Sequence, residues 1–357
     1  VIHGGVRLGD IVLARDPRVW AASAMAVLER GLGKLGIAPG WSKAAEYAQG
    51  APATAADQLF AARHAAPGAA LVLCDYAYLA PLAPYALADA PSAVIMHDLI
   101  SARVADAKEA ATQKVTAMSA AEEFALLGMA DAVIAIQAEE AQAVAAALPH
   151  RRVLVAPHGV ATAPAPQPGE DDALLFVGSN TAPNIIGLEW FFEKIWPLVR
   201  AKRPQARLKV AGSVARALGA APEGVSMLGV VDDLAPLYAQ AGVVISPLYT
   251  GSGLKIKLIE AMAAGKAVVG TSVTAQGVEE VVAGAMALAD DPADFAAAIV
   301  DLAGNRARRA ELGQAALACA ESRFSVRAAF APLLEFLGSY AGKAPRNGLQ
   351  NAAAISQ

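Results

Sequence analysis

Residues 249–271 read YTGSGLKIKLIEAMAAGKAVVGT, and the fold turns on how this stretch is understood. A Gly-Ser-Gly turn leads into a run with helical spacing, and a short β-rich strand follows. Gly251 and Gly253 leave backbone amides free to approach a ligand, and Ser252 is placed to cap a helix expected from about Leu254. The positive end of such a helix favours an anion such as phosphate. Lys255 or Lys257 would add a full positive charge; about 200° of helix separates them, so one of the two faces the site. Glu260 lies within two turns and can accept hydrogen bonds from hydroxyl groups. The plain alternative is a glycine-rich turn followed by an exposed Lys257–Glu260 pair three residues apart.

Outward from that stretch, apolar strands alternate with helices. Before the stretch come ALLFVG (173–178), a helix over 184–202, RLKVAG (207–212), VSMLG (225–229), a helix over 233–241 and GVVISPL (242–248). After it come AMALAD (285–290), helices over 292–322 and an amphipathic run over 325–340. The earlier half repeats the pattern with ALVLCD (70–75), SAVIMHD (92–98), a helical stretch through 122–130, DAVIAI (131–136), EEAQAVAAAL (139–148) and RRVLVAP (151–157). Continuous apolar strands between helices of 10–15 residues indicate parallel sheets covered on both faces. The Pro- and Ala-rich segment HGVATAPAPQPGEDD (158–172) separates the halves as a linker. DIVLA near the start reads as a strand, but the first 60 residues give no clean opening β-α unit.

Composition narrows the function. The 357 residues are 56% hydrophobic and 17% charged, enough for two sizeable cores. Mean hydropathy is +0.41, yet no window offers the roughly 18 unbroken apolar residues of a spanning helix. A net charge of −4 argues against a nucleic-acid partner. Two cysteines, Cys74 and Cys319, each in an apolar segment, point to a reducing compartment and buried thiols.

VVISPLYTGSGLKIKLIEAMAAGKAVVGTSVTAQGVE (243–279), with LLFVGSNTAPNIIGLEWF (174–191) and VSMLGVVDDLAPLYAQA (225–241) before it, resembles the nucleotide-sugar half of a GT-B glycosyltransferase. More narrowly, it resembles the retaining, family 4-like glycosyl transferases group 1. The likeness covers roughly 173–290 and extends more loosely back to about residue 70, through CDYAYLAPLAPY (74–85), VIMHDL (94–99) and ADAVIAIQAEEA (130–141).

The resemblance implies an α/β protein of two Rossmann-like domains facing across a cleft. The expected boundaries are an acceptor-binding domain at 1–162, a nucleotide-sugar domain at 163–324, a helix at 325–341 returning to the first domain, and a disordered tail at 342–357. Glu260 matches the second carboxylate of the family's paired-glutamate motif, which binds the donor's ribose. The first carboxylate belongs eight residues earlier, where this chain has Ser252, as in a branch of the family with a Gly-Ser/Thr-Gly loop. Many relatives carry an arginine and a lysine in the loop over 177–184; here Gly178, Ser179 and Asn180 stand there, and Lys255 and Lys257 are the nearest cations. Gly251, Gly253 and Leu254 complete the expected phosphate-facing loop. Val230 and Val231 match the backbone contacts to the nucleotide base, in a turn where Asp232 is also the expected N-cap. His97, with Asp98, follows a buried strand and matches a histidine that contacts the donor sugar. His158 reads as hinge structure.

The implied activity is retaining, metal-independent transfer of a sugar from a nucleotide diphosphate donor, UDP- or GDP-linked, to a glycan, lipid-linked or small-molecule acceptor. No cofactor or metal is expected, and the implied setting is cytoplasmic polysaccharide biosynthesis with peripheral membrane association. Two other readings stay open: a nucleotide-sugar 2-epimerase-like enzyme, and a non-catalytic relative that binds a nucleotide sugar or a partner.

Overall fold

In a computed structural model of the chain, residues 5–8, 11–14, 17–34, 57, 58, 61, 65, 69–86, 90–103, 118–251 and 253–340 are described. Ser252 and the tail over 342–357 lie outside them. The described residues separate into two units. One holds the described residues up to Ala102, those from 118 to Val155, and those from Pro332 to Tyr340; the other holds Arg103 and the described residues of Ala156–Ala331.

The first unit opens with an antiparallel pair, β1 (Gly5–Leu8) and β2 (Ile11–Ala14), followed by α1 (Pro17–Lys34). DIVLA is therefore a strand, in a hairpin rather than a β-α unit. Four parallel strands form the main sheet in the order β3 (Val72–Asp75), β4 (Ser92–Met96), β5 (Ala132–Ala135), β6 (Arg152–Val155). Helices α2 (Ala120–Leu127) and α3 (Ala138–Ala147) connect its later strands. Val94, Met96, Leu127, Val133, Ala135 and Val144 make the core, each at most 1% exposed. Burial on both sides of the sheet explains why β4 and β5 are nearly unbroken in apolar character. Helix α2 starts with a capping box: Ser119 Oγ accepts from Glu122 N, and the Glu122 carboxylate accepts from Ser119 N.

In the second unit six parallel strands take the order β12-β11-β10-β7-β8-β9. They are β7 (Ala173–Val177), β8 (Arg207–Ala211), β9 (Val225–Gly229), β10 (Val243–Ser246), β11 (Ala267–Gly270) and β12 (Ala287–Leu288). The chain runs outward from β7 to β9, then returns to place β10 on the other side of β7. That reversal is a topological switch point, whose crevice at the strands' carboxyl ends is where open α/β sheets bind ligands. Helices α4 (Ala182–Trp190), α5 (Ala235–Gln240), α6 (Ile256–Ala263), α7 (Pro292–Gly304) and α8 (Arg306–Arg323) cover the sheet. The helix expected over 184–202 is interrupted: residues Phe191–Ile195 form a π-helical turn before helix resumes at Trp196. Pro197 supplies the cause, since it has no N–H for an i→i−4 bond. Phe191, Trp196, Phe295 and Ile299 fill the core beneath, none above 2% exposed.

The final helix, α9, spans Val326–Gly338. At its start a Cβ on Gly159 would meet Phe330 at 2.9 Å, within the second unit. Near its end, in the first unit, Phe336 is fully buried and the Arg152 guanidinium lies 5.0 Å above its ring.

Candidate functional site

The loops after β7 and β10 meet at the switch point. After β7, Gly178 is buried, and a Cβ there would come within 2.6 Å of the Phe176 ring and 3.0 Å of Asn184. Only a residue without a side chain fits. Asn184 Nδ2 donates to Ser179 O at 2.9 Å and Thr181 Oγ1 at 3.0 Å, and Asn180 N donates to Ser213 Oγ at 2.8 Å. The turn is thus built by amide and hydroxyl groups and leaves the Ser179 and Asn180 side chains exposed.

After β10, the chain is pinned from beneath. Thr274 Oγ1 donates to Ser246 O at 2.6 Å, and Thr271 Oγ1 donates to Leu248 O. The Tyr249 ring meets Trp190 edge-on at 5.3 Å. Gly251, at φ 104°, lies against Pro183: a Cβ would come within 2.9 Å of its ring. This contact joins the two loops and accounts for glycine at 251.

Helix α6 begins at Ile256, two residues later than the sequence suggests. Lys255 has φ −81° and ψ 87°, which are not helical, and its Nζ donates to Gly253 O at 2.7 Å and Gly251 O at 3.4 Å. Lys255 braces the turn, and Leu254 is buried beneath it. Lys257 sits on the first turn of α6 and pairs with Glu260, 2.7 Å from Oε2.

Lys257 and Glu260 border a cavity of about 830 Å³ inside the second unit. Its other walls are the start of α5 with Leu234, Ala235 and Tyr238, the linker from His158 to Ala163, and Gln167. His158, read from sequence as hinge structure, thus also borders the cavity. Tyr238 is 8% exposed and its hydroxyl has no hydrogen-bond partner among the described residues. Burial, and secondly the Glu260 charge, push that hydroxyl's pKa up. Buried polar groups normally find partners, so an orphan beside Glu260 in a cavity wall marks a place for a ligand's polar group. Nothing in the spacing of PLYAQA singled Tyr238 out.

Val230 is 62% exposed and Val231 half-buried in the turn after β9. Asp232 is not the N-cap of α5, which is Leu234; Asp233 Oδ1 accepts from the first helical amide, Ala235 N, at 2.9 Å. Asp233 stands two residues before Ala235, the reach a short carboxylate needs to meet that N–H.

The linker is clamped onto the second unit. Arg309, 1% exposed, donates to Pro168 O at 2.8 Å, Leu302 O at 2.7 Å and Ala303 O at 3.0 Å, and pairs with Asp171. Lys266, also 1% exposed, donates to Gln167 O. Burial, and then the charge of Arg309, lower its pKa to about 8.

In the first unit, His97 lies just past β4, and its Nε2 is 2.7 Å from Asp75 Oδ1 at the end of β3. The Tyr76 ring lies against the imidazole, centroids 4.5 Å apart. Tyr76 has φ 68° and ψ 153°, a region nearly confined to glycine and costing on the order of 1–3 kcal/mol. Asp98 is only 4% exposed and faces inward, unlike His97. The loop is held by two helix carboxylates: Glu123 accepts from Ile100 N and Ser101 N, each at 2.8 Å, and Glu140 accepts from Leu99 N at 3.1 Å. Burial of Glu123 at 1% exposure was not legible in EEFALLGMA, where it reads as a solvent-facing helix charge.

The likeness to solved structures shows the GT-B glycosyltransferase fold. Within the second unit, residues 171–305 match the family model described as glycosyl transferases group 1. The protein is similar to sucrose-phosphate synthase from Thermosynechococcus elongatus, with a TM-score of 0.60 at 19% identity over 79% of this chain and 76% of that one. It is also similar to Anabaena Alr3699/HepE, crystallised with UDP-glucose, with a TM-score of 0.54 at 17% identity over 76% of this chain and 79% of that one. In sequence, 176 residues are 24% identical to an uncharacterized 44.6 kDa protein in the cps region of Klebsiella pneumoniae. That match spans 45% of this chain and 45% of the relative's length.

Proposed function

We propose that this protein is a glycosyltransferase that moves a sugar from a nucleotide diphosphate donor to a glycan, lipid-linked or small-molecule acceptor. The observation that carries the reading is the placement of Glu260, with Lys257, in a cavity wall inside the segment that matches the family. Its carboxylate would accept from the ribose hydroxyls. The helix N-terminus at Ile256 and Lys257 would turn its backbone amides to the diphosphate. As the bond to the sugar breaks, negative charge grows on the leaving diphosphate. Those amides and the Lys257 ammonium would stabilise it electrostatically.

The reading includes retention of configuration, no requirement for a metal, and a UDP- or GDP-linked donor. The likeness to a protein encoded in a cps region supports a role in polysaccharide biosynthesis. Among the described residues no helix is long and apolar enough to cross a membrane; cytoplasmic location with peripheral membrane contact belongs to the proposal. One observation favours a second reading, a nucleotide-sugar-binding relative without turnover: the loop over 177–184 has no cation, and Ser252 replaces the family's first carboxylate.

The test is thermal unfolding with UDP, GDP, ADP and TDP, with and without EDTA, on wild type and Glu260→Ala. A diphosphate at 100 times its Kd stabilises by about 2.7 kcal/mol. One nucleotide raising Tm without metal, and losing that effect in Glu260→Ala, is the expected result. No shift from any of them would remove the donor site. Turnover of the matching nucleotide sugar separates the enzyme from the non-catalytic reading.

A further inference from the structure

On the other side of α5 from the cavity that holds Glu260, the second unit has a smaller cavity of about 250 Å³. Helix α5 is the partition: Ala235, Tyr238 and Ala239 border the larger space, while Leu237 and Gln240 line the smaller one. Strand register builds the floor. Arg207 pairs with Ala173, and Lys209 pairs with Leu175 on one side and Ser226 on the other, so side chains of β7, β8 and β9 share one face of the sheet. All five residues line the cavity. Ala173 and Arg207 open their strands, which places the space at the sheet's amino ends, away from the loops that follow β7 and β10.

The polar groups here are unbalanced. Lys209 is half-buried, and its Nζ donates to a neutral acceptor, Gln240 Oε1, at 2.7 Å. An ammonium carries three N–H groups, so two remain for a ligand. The Arg207 guanidinium makes no hydrogen bond to any described residue: the carboxylate oxygen it faces, Glu170 Oε2, is 3.8 Å from Nη2, too far for one. Arg200 and Arg203, by contrast, hold Glu223 and Asp172 at 2.5 Å and 2.9 Å.

Two cations against the single carboxylate of Glu170 leave one positive charge uncompensated. Ala173, Leu175, Leu237 and Ala241 make the rest of the lining apolar. The matching ligand has one negative charge, a fork that meets a guanidinium, and a short apolar body. A carboxylate has that form, whereas a phosphate monoester would bring a second charge against Glu170. At roughly 30 Å³ for each small group, as for a water, the space takes about eight non-hydrogen atoms.

We propose that this cavity is a binding site for a small monocarboxylate, held by Arg207 as a bidentate pair and by Lys209. It shares no lining residue with the nucleotide cavity and does not depend on the glycosyltransferase reading.

The experiment is a saturation-transfer NMR titration with hexanoate, with neutral hexanamide and with methyl phosphate. It is run on wild type, Arg207→Gln, Arg207→Lys, Lys209→Gln and Glu260→Ala, with Tm read for each. Wild type is expected to bind hexanoate saturably and more tightly than either comparison compound. Arg207→Gln and Lys209→Gln should each weaken hexanoate roughly tenfold, the scale of a lost charge-assisted hydrogen bond. Arg207→Lys keeps the charge without the fork and should recover part of the affinity. Glu260→Ala should bind hexanoate as wild type does. The Arg207 side chain is 68% exposed, so its replacement should leave Tm unchanged.

Absence of saturable hexanoate binding overturns the proposal, as does hexanamide or methyl phosphate binding as tightly. Wild-type affinity in Arg207→Gln also overturns it, and that variant decides alone if Lys209→Gln lowers Tm. A loss of hexanoate binding in Glu260→Ala would move the carboxylate to the nucleotide cavity and overturn it too.

Discussion

Lys257 grips both carboxylate oxygens of Glu260, its Nζ lying 2.9 Å from Oε1 and 2.7 Å from Oε2. The carboxylate assigned to the ribose is therefore already occupied by its own neighbour. The ion pair is i,i+3 on one helix, with side chains 47% and 27% exposed. Pairs of this kind contribute about 0.3–0.5 kcal/mol. On the proposed reading a nucleotide would displace or share the ammonium at little cost, and the released charge would then sit next to the phosphates.

Lys257→Met separates these two roles. Its effect on unfolding is expected to be small, about 0.5 kcal/mol. Calorimetric titration should show weaker binding of the nucleoside diphosphate, because a cation is lost. Binding of the nucleoside without phosphates should be equal or tighter, because Glu260 is freed. Equal weakening of both ligands would mean that Lys257 orders the cavity instead of serving phosphate.

Tyr238→Phe removes the hydroxyl that has no partner among the described residues. An unsatisfied buried polar group costs on the order of 1–3 kcal/mol, so its deletion should stabilise the free protein by up to about 1 kcal/mol. The same change should weaken the nucleotide. Thermal unfolding with and without the diphosphate measures both effects. A variant less stable in the absence of ligand would show that the hydroxyl is satisfied in solution.

How far the sequence could be read depends on the range of the forces involved. The alternation of β7 to β12 with their helices, and the strands β3 to β6, are periodic signals written locally and appear within a few residues of their expected places. The loop at 249–255 is legible because glycine spacing reports backbone need directly. The start of α6 is not, since Lys255 folds its ammonium onto the carbonyls of Gly251 and Gly253, and this local closure outweighs its helix propensity. Asp232 and Asp233 are equivalent to any pattern reading; only the backbone path selects Asp233. The Asp75–His97 pair arises from parallel register across 22 residues, which no spacing rule encodes. Glu123 and Tyr238 are ordinary helix residues until tertiary packing buries them.

Arg309 is the main structural clamp of the linker. Replacing it by Met removes the guanidinium donors from the carbonyls of Pro168, Leu302 and Ala303, leaving Leu302 O and Ala303 O only their backbone donors Asn305 N and Asp172 N. The expected loss is about 3 kcal/mol or more, read by denaturant unfolding. Asp171→Asn should do far less, because Asp171 is 60% exposed and water can replace it. If the two variants are equally damaging, the ion pair rather than the carbonyl contacts holds the linker.

Lys266 gives the second unit a signature in alkali. Its pKa falls from 10.5 to about 8, chiefly through burial and further through Arg309. Below pH 8 the folded and unfolded chains both hold this proton, and above 10.5 neither does. Between those values the unfolded chain binds a proton that the folded chain has released. Stability contributed by this group therefore rises with pH across that window. The neutral amine still donates to Gln167 O, so the linker contact survives the loss of charge. Comparing wild type with Lys266→Met isolates the effect from other titrating groups. The difference in unfolding free energy should move in favour of wild type from pH 8 to pH 10. A difference independent of pH would mean that Lys266 keeps its proton in the folded state, held by more than the one carbonyl.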